Sequence, residues 1–405
     1  MINKKSAVFE LLLVGTWILG NMSVNFMLPL LPSVAAEFHA SPTLVKYSIS
    51  IFLFGKAAGV LIYGPLSDRY GRRSFMLLGL FLYFIGNAFT FFTSSMTVLL
   101  LSRLIQGIGT SATVLMGRVM INDVYKNNKA AMVFSQMFLA ASVLISCLPM
   151  MASWTASHFD WRFIFLIMAG YGLVMFVLCF LLLDETHHQR DTMNSSFSEI
   201  VLHYRAIVSH PLFLGYVLCS LFMVAGESAF NTASSFLLIK GFGVSIYYFG
   251  VLMTSLGLGH LVGTLLCGRL VKKYDLVNMM GIGVIILMLS ACTMAILVNI
   301  GYASVLTIML PMAIFYVGTG FIMTITAVGV VTPFPKLIAT SSAASLLLYF
   351  GFSTISSTLM SHLPTTTARP VTLLIAVFGL LAFLAWYVLI VPSRKNEGLA
   401  VAVKA

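Results

Sequence analysis

Long apolar runs separated by short polar breaks fill the chain from end to end. A run of about 18 or more residues with few charges has the length of a membrane-crossing helix. Twelve such runs are predicted, at roughly 8–31, 45–66, 74–94, 97–121, 131–156, 162–183, 211–235, 246–271, 277–299, 303–331, 338–361 and 370–391. The short alternating segments of a membrane β-barrel do not occur. One long hydrophilic stretch, 184–210, carries Asp184-Glu185-Thr186, His187, His188, Arg190 and Asp191 and parts the runs six and six. The pattern predicts an all-α polytopic membrane protein. It has an N-terminal six-helix bundle over 1–183, a linker over 184–210, a C-terminal six-helix bundle over 211–391 and a tail over 392–405.

Composition narrows the class further. A mean hydropathy of +1.01 with 60% hydrophobic residues argues against a soluble helical solenoid. The formal charge of +11 would suit a nucleic-acid partner if it lay on one face, but the basic residues sit in short loops, so none is expected. They report topology instead. With both termini cytoplasmic, 17 of the 23 lysines and arginines fall inside, Lys46, Arg162, Lys240 and Arg369 fall outside, and Lys56 and Arg103 lie within spans. Lys4-Lys5 before an apolar run resembles a signal peptide, but the run continues to Leu31, so an uncleaved first helix is expected.

The five cysteines lie inside apolar runs without metal-ligand spacing, so neither a disulfide framework nor a metal or other cofactor is expected. No Walker-type loop is present, which points to an ion gradient as the drive. Within the spans no metal-spaced His/Asp cluster or nucleophile–base pair speaks for an enzyme. A sensor would need a soluble output domain, and neither 184–210 nor the tail is large enough for one.

A charged knot stands between the second and third runs: Gly64-Pro65-Leu66-Ser67-Asp68-Arg69-Tyr70-Gly71-Arg72-Arg73. Gly64 lets another helix come close. Asp68 can accept from the N–H groups at a facing helix N-terminus. Arg118 and Asp123, at the end of the fourth run, can complete a charge cluster with Asp68 and Arg72. The plainer reading is a positive loop that only fixes orientation. After the eighth run, Gly268-Arg269-Leu270-Val271-Lys272-Lys273-Tyr274-Asp275 looks like a worn copy of the knot, as pseudo-symmetric parallel repeats would give.

These residues carry a resemblance. The Gly64–Arg73 stretch is similar to the G-x-L-x-D-R-x-G-R-R signature of the major facilitator superfamily. Arg103-Leu104-Ile105-Gln106-Gly107-Ile108-Gly109 resembles the R-x-x-Q-G-x-G pattern of its proton-driven antiporters. Leu28-Pro29-Leu30-Leu31-Pro32, Tyr63 to Arg69, Trp161-Arg162-Phe163-Ile164-Phe165 and Pro333-Phe334-Pro335 resemble the bicyclomycin/chloramphenicol-resistance (Bcr/CflA) drug exporters. Three places depart from that pattern. Asn25 stands where an acidic residue is usual, the fifth-helix motif reads Pro149-Met150-Met151-Ala152, and the seventh helix reads Gly226-Glu227-Ser228 and then Ala233-Ser234-Ser235. The resemblance implies the major facilitator fold, with a cavity between two six-helix halves that rock by alternating access in a bacterial inner membrane. It implies a gating latch of Gly64, Asp68, Arg69, Gly71, Arg72, Arg73, Arg118 and Asp123, and a part for Arg103 in proton coupling.

Polar residues inside the spans supply the remaining candidates. Lys56 falls near the midplane of the second run, where a lysine costs about 2.5–3.5 kcal/mol on insertion scales. It either attracts an acidic substrate group or snorkels and pairs internally. Arg103 either contacts substrate and pins a carboxylate or binds carbonyls of the first or second helix. Of the 12 acidic residues Glu227 alone lies deep in a span, where a carboxyl can take up and release the coupling proton; a slightly shifted span would put it at the membrane edge. Asn21 and Asn25, one turn apart, offer neutral hydrogen bonds to a substrate or to neighbouring helices. His260 reads as a packing residue. The 24 methionines and 32 phenylalanines suit an adaptable apolar cavity.

The expected function is proton-driven efflux of a small organic compound, a drug or a metabolite. Neutral to anionic cargo, such as a carboxylate siderophore, is favoured because Lys56, Asn21 and Asn25 replace an acid in the first half. The alternative is a proton-coupled importer of an organic anion. Expected partners are the small-molecule substrate, protons and the lipid bilayer, with the chain acting as a monomer and without a cofactor.

Overall fold

The computed structural model describes residues 7–125, 128–186, 205–271, 273–334, 338–365 and 367–392, and no strand occurs among them. Among the described residues twelve helices are long and apolar enough to cross a membrane. They are α1 (Ala7–Met27), α2 (Pro42–Tyr70), α3 (Arg72–Phe91), α4 (Met96–Val124), α5 (Asn128–His158) and α6 (Arg162–Leu182). The rest are α7 (Pro211–Ser235), α8 (Ile246–Leu270), α9 (Leu276–Asn299), α10 (Val305–Gly329), α11 (Ile338–His362) and α12 (Ala368–Ala385). Each predicted run is thus a helix. A spanning segment has no water to satisfy its backbone, so the chain must do so within each helix.

Local chemistry sets the ends. Ser41 caps α2 by accepting from Leu44 N–H at 3.2 Å, and Pro42 follows at the position where a missing N–H costs nothing. This starts α2 three residues before the predicted span. Gly71 ends it with φ of 96°, a left-handed value that a residue with a Cβ resists. The two prolines of Leu28-Pro29-Leu30-Leu31-Pro32 turn the end of α1 into a 3-10 turn, Leu28–Leu30, and a short helix, Leu31–Glu37. Wide π-helical turns extend α7 over Phe236–Gly241 and α12 over Trp386–Ile390.

Two compact units form. One comprises Met1–Asn194 with Thr232–Thr254, the other Ser195–Asn231 with Ser255–Ala405. The central helix of the first is α4, buried without a break from Gly109 to Gly117. In contrast, α6 leaves Leu166, Leu173, Val174, Val177, Phe180 and Leu181 exposed, as a lipid-facing helix does.

Close helix pairing repeats in the two halves. At Gly107 of α4 an added Cβ would strike the Phe52 carbonyl of α2, and at Gly263 of α8 it would strike the Val317 carbonyl of α10. Likewise Gly79 of α3 lies against Gly109 of α4, and Gly283 of α9 against Gly318 of α10. Lipid tails are as apolar as leucine, so contact between helices rests on such close van der Waals approach.

Candidate functional site

Arg103 organises the polar interior of the first unit. It projects from α4, fully buried, and donates to Ser48 O of α2 at 3.2 Å, to Ser23 O of α1 at 3.1 Å and to Gln106 Oε1 at 2.7 Å. Its guanidinium lies 4.5 Å from the centre of the Phe52 ring. Gln106 then donates to Gly86 O at 3.1 Å and Thr90 Oγ1 at 3.0 Å on α3. One side-chain pair thereby ties α1, α2, α3 and α4. These acceptors are neutral, and two of them are the carbonyls of the first and second helices. Full burial leaves no face for cargo in this conformation.

Lys56 sits one residue type away from that network in chemistry but differs in setting. Its side chain is buried, with Nζ 5.8 Å from the Phe52 ring centre on α2. The ammonium lies 3.1 Å from where a Cβ on Gly20 of α1 would stand, so the bare glycine makes its room. Asn21 is half-buried beside it in sequence, and Asn25 turns its amide back to Asn21 O at 2.9 Å. Asn25 therefore spends a donor within α1, while no described residue hydrogen-bonds the Asn21 side chain.

Lys46 is the surprise of α2. Assigned to an external loop by charge counting, it is 2% exposed, with Nζ 5.8 Å from the Phe236 ring centre. Among the described residues the buried charged side chains are Lys46, Lys56, Arg72 and Arg103. Every one is a cation.

The second unit holds Glu227 on α7, half-buried. Among the described residues its carboxyl has no hydrogen-bond or ion-pair partner. Asn231 follows one turn on, and Tyr316 of α10 donates to its Oδ1 at 3.4 Å; Glu227 and Tyr349 both act electrostatically on Tyr316. His260 of α8 hydrogen-bonds Thr319 Oγ1 at 2.8 Å, the satisfied packing role expected for it.

The charged knot folds into a clamp between chain segments far apart in sequence. Arg72 Nη1 donates to Ser67 Oγ at 2.6 Å, and its Nε lies 3.5 Å from Asp123 Oδ2. Thr186 Oγ1 donates to the same Asp123 oxygen at 3.2 Å. The Glu185 carboxylate accepts from the backbone N–H of Arg72 and of Arg73, filling the first turn of α3 with negative charge where the helix dipole favours it. Arg73 donates to Phe180 O at 2.6 Å. Arg69 lies over the Tyr70 ring and Arg118 over the Trp17 ring, each at 5.3 Å. The Asp68 side chain lies outside the described residues. No described atom comes within 4 Å of a Cβ placed on Gly64, so the close helix approach expected there is not formed in this conformation. Nearby, Tyr125 donates to Glu10 Oε1 at 2.8 Å; burial, and then that carboxylate, push its phenol up to about 12.

Glu185, Thr186, Ser67 and Phe180 were missed from sequence. Their visible signals were Asp184-Glu185-Thr186, the first acidic cluster after the sixth run, and, for Ser67, its place in the charged knot. A second tie uses Trp161 and Arg162. Both donate to the Glu37 carboxylate, Arg162 at 2.6 Å, and Arg162 also reaches Thr93 O at 3.1 Å.

Comparison with known proteins agrees with this architecture. Similar chains include the "Bicyclomycin resistance protein homolog" of Haemophilus influenzae, 24% identical over 98% of this chain and 99% of that one. "Multidrug resistance protein D" of Escherichia coli is 26% identical over 93% and 94%. The "Uncharacterized MFS-type transporter YdgK" of Bacillus subtilis is 27% identical over 76% and 77%. A solved structure of the xylose transporter XylE from E. coli, in a partially occluded inward open conformation, shares the fold. Its TM-score is 0.70 at 16% identity, covering 94% of this chain and 96% of that one. The family model described as Major Facilitator Superfamily runs over residues 12–357, from the first span into the eleventh, and the chain belongs to that superfamily of membrane transporters.

Proposed function

We propose that this transporter exports a small neutral-to-anionic organic compound in exchange for protons, by alternating access. The reading places it in a bacterial inner membrane with both termini cytoplasmic. One observation carries the cargo class: among the described residues the buried charges set inside the helices, away from the charged knot, are the cations Lys46, Lys56 and Arg103. A cation held in low dielectric favours an anion entering the same medium. Lys56 receives the acidic group of the cargo, and Asn21 offers it an amide. Arg103, whose donors are occupied by carbonyls and Gln106, fixes the helices that present Lys56.

Glu227 exchanges the proton. A carboxyl with no ion-pair partner among the described residues can hold a proton in one state and release it in another, which coupling requires. Relatives named for drug resistance support export over import.

The test is transport by reconstituted protein under an imposed pH gradient, offering neutral, cationic and carboxylate-bearing compounds. Carboxylates should move best, Lys56→Ala should abolish that preference, and Glu227→Gln should free transport from the gradient. Fast movement of cations, indifferent to both substitutions, would overturn both assignments. Accumulation in cells that collapses with a protonophore would favour import of an organic anion instead.

A further inference from the structure

Packing accounts for one nitrogen of His260 and leaves the other. Nδ1 lies 2.8 Å from Thr319 Oγ1, and the same hydroxyl donates to Tyr316 O at 2.8 Å. A hydroxyl has one proton and a carbonyl only accepts. Thr319 therefore spends its proton on Tyr316 O and accepts from His260 Nδ1–H. No carboxylate pairs with the ring among the described residues, so nothing there calls for an imidazolium. In the neutral ring that this bond selects, Nε2 carries a lone pair and no proton.

That nitrogen is within reach. Nε2 has no hydrogen-bond partner among the described residues, yet it is not one of the shut-in unpartnered atoms, which include Ser235 Oγ and Thr254 Oγ1. His260 is half-buried, whereas Leu256 and Cys267, four residues before and seven after on the same face of α8, are fully covered. The exposed apolar face of α8, with Leu258, Val262 and Leu265, points the other way. The opening at Nε2 thus lies on the inner side of the helix and not against lipid. His260 is two residues past the middle of the 25-residue α8, about 3 Å along its axis and near the midplane, where secondary transporters hold cargo. Close backbones fix the ring there: a Cβ on Gly259 would strike Ala313 O, and one on Gly320 would strike His260 O.

We propose that His260 Nε2 is a hydrogen-bond acceptor for a hydroxyl or N–H group of the cargo, and that Thr319 positions it by holding the tautomer. The cargo then carries a donor, and a compound with that donor masked is disfavoured. A carboxylate brings only acceptors to this nitrogen, so any acidic group of the cargo sits elsewhere. It rests on the reading that a small organic compound crosses through this protein, and on nothing about the charge of that compound.

The experiment measures binding to the full-length protein in lipid nanodiscs by calorimetry, corrected for empty discs. Two pairs of probes are used, 4-hydroxybenzoate beside 4-methoxybenzoate and their two methyl esters. Wild type should bind each hydroxyl compound about five-fold tighter than its methoxy partner, the weight of one hydrogen bond to a neutral group. His260→Asn, whose shorter amide keeps the Thr319 bond but places no acceptor at Nε2, should bring the ratio near one without moving the unfolding midpoint. His260→Gln, which returns an oxygen near that place, should restore most of it. Thr319→Val keeps the shape but frees the tautomer, so the ratio should fall with the imidazole still present; this variant serves if those at His260 do not fold. No binding of either hydroxyl compound, a ratio near one in wild type, or an unchanged ratio in His260→Asn would overturn the acceptor. Equal weakening of both members of a pair, with a lowered midpoint, would reduce His260 to packing. A ratio kept in Thr319→Val would strike its positioning part. If the ratio behaves as expected while the carboxylates bind no tighter than their esters, the anionic reading falls and His260 keeps its role.

Discussion

Glu185 caps Arg72. Its Oε1 accepts the Arg72 backbone N–H at 3.0 Å across 113 residues of chain, so the exit of α6 closes the N-terminus of α3. The other carboxylate oxygen takes the next N–H, of Arg73, at 3.2 Å. Removing it with Glu185→Ala should cost about 1–2 kcal/mol, the usual worth of a helix cap. Thermal unfolding of the detergent-solubilised protein measures this, and an unchanged midpoint would show that the cap does not hold the fold.

The glycines at either end of the knot should respond oppositely to alanine. Gly71 has φ of 96°, and a Cβ there would meet the Glu185 carboxylate, so Gly71→Ala should destabilise by about 1 kcal/mol or more. Gly64 lies inside α2 with open space around it among the described residues, so Gly64→Ala should be neutral or gain up to about 1 kcal/mol. Any slowing of transport in a stable Gly64→Ala protein would then report a closer helix approach in another state of the cycle.

Arg103→Lys removes the planar fork that reaches three acceptors on three helices. An ammonium cannot span Ser48 O, Ser23 O and Gln106 Oε1 together, so about 3 kcal/mol of stability should be lost. The check is the unfolding midpoint, compared with Lys56→Met, which should fall less. Equal losses would mean that the network around Arg103 is no tighter than the setting of Lys56.

Tyr316→Phe tests the surroundings of Glu227. The hydroxyl it removes donates to Asn231 Oδ1, one turn along α7 from Glu227. Gradient-driven transport should change its pH dependence, while exchange of cargo without a gradient should continue near the wild-type rate. A pH profile superimposable on wild type would separate Tyr316 from the coupling group.

The spans were legible because bilayer thickness imposes a length and an apolar composition on every crossing, and both are written in consecutive residues. Lys56, Arg103 and Glu227 were legible for the same reason, as charges where charge is costly. The burial of Lys46 was not legible, because counting positive residues reports the side of the membrane and not what covers a side chain. Whether Phe236, 190 residues later, covers it is not a local property. Glu185 escaped for a similar reason, since its backbone partners carry no side-chain signature. The close approach expected at Gly64 is not formed among the described residues in this conformation, because a glycine permits contact without requiring it.

The glycine contacts on both flanks of α4 carry one last consequence. With Gly107 against Phe52 O on α2 and Gly79 against Gly109 on α3, no layer of side chains lies between these backbones to act as a lubricant. Sliding one helix past another would drive a carbonyl into a Cα, so the three must open to solvent together. Amide hydrogens of α2, α3 and α4 should therefore exchange with deuterium as a single cooperative block, slower than those of lipid-facing α6.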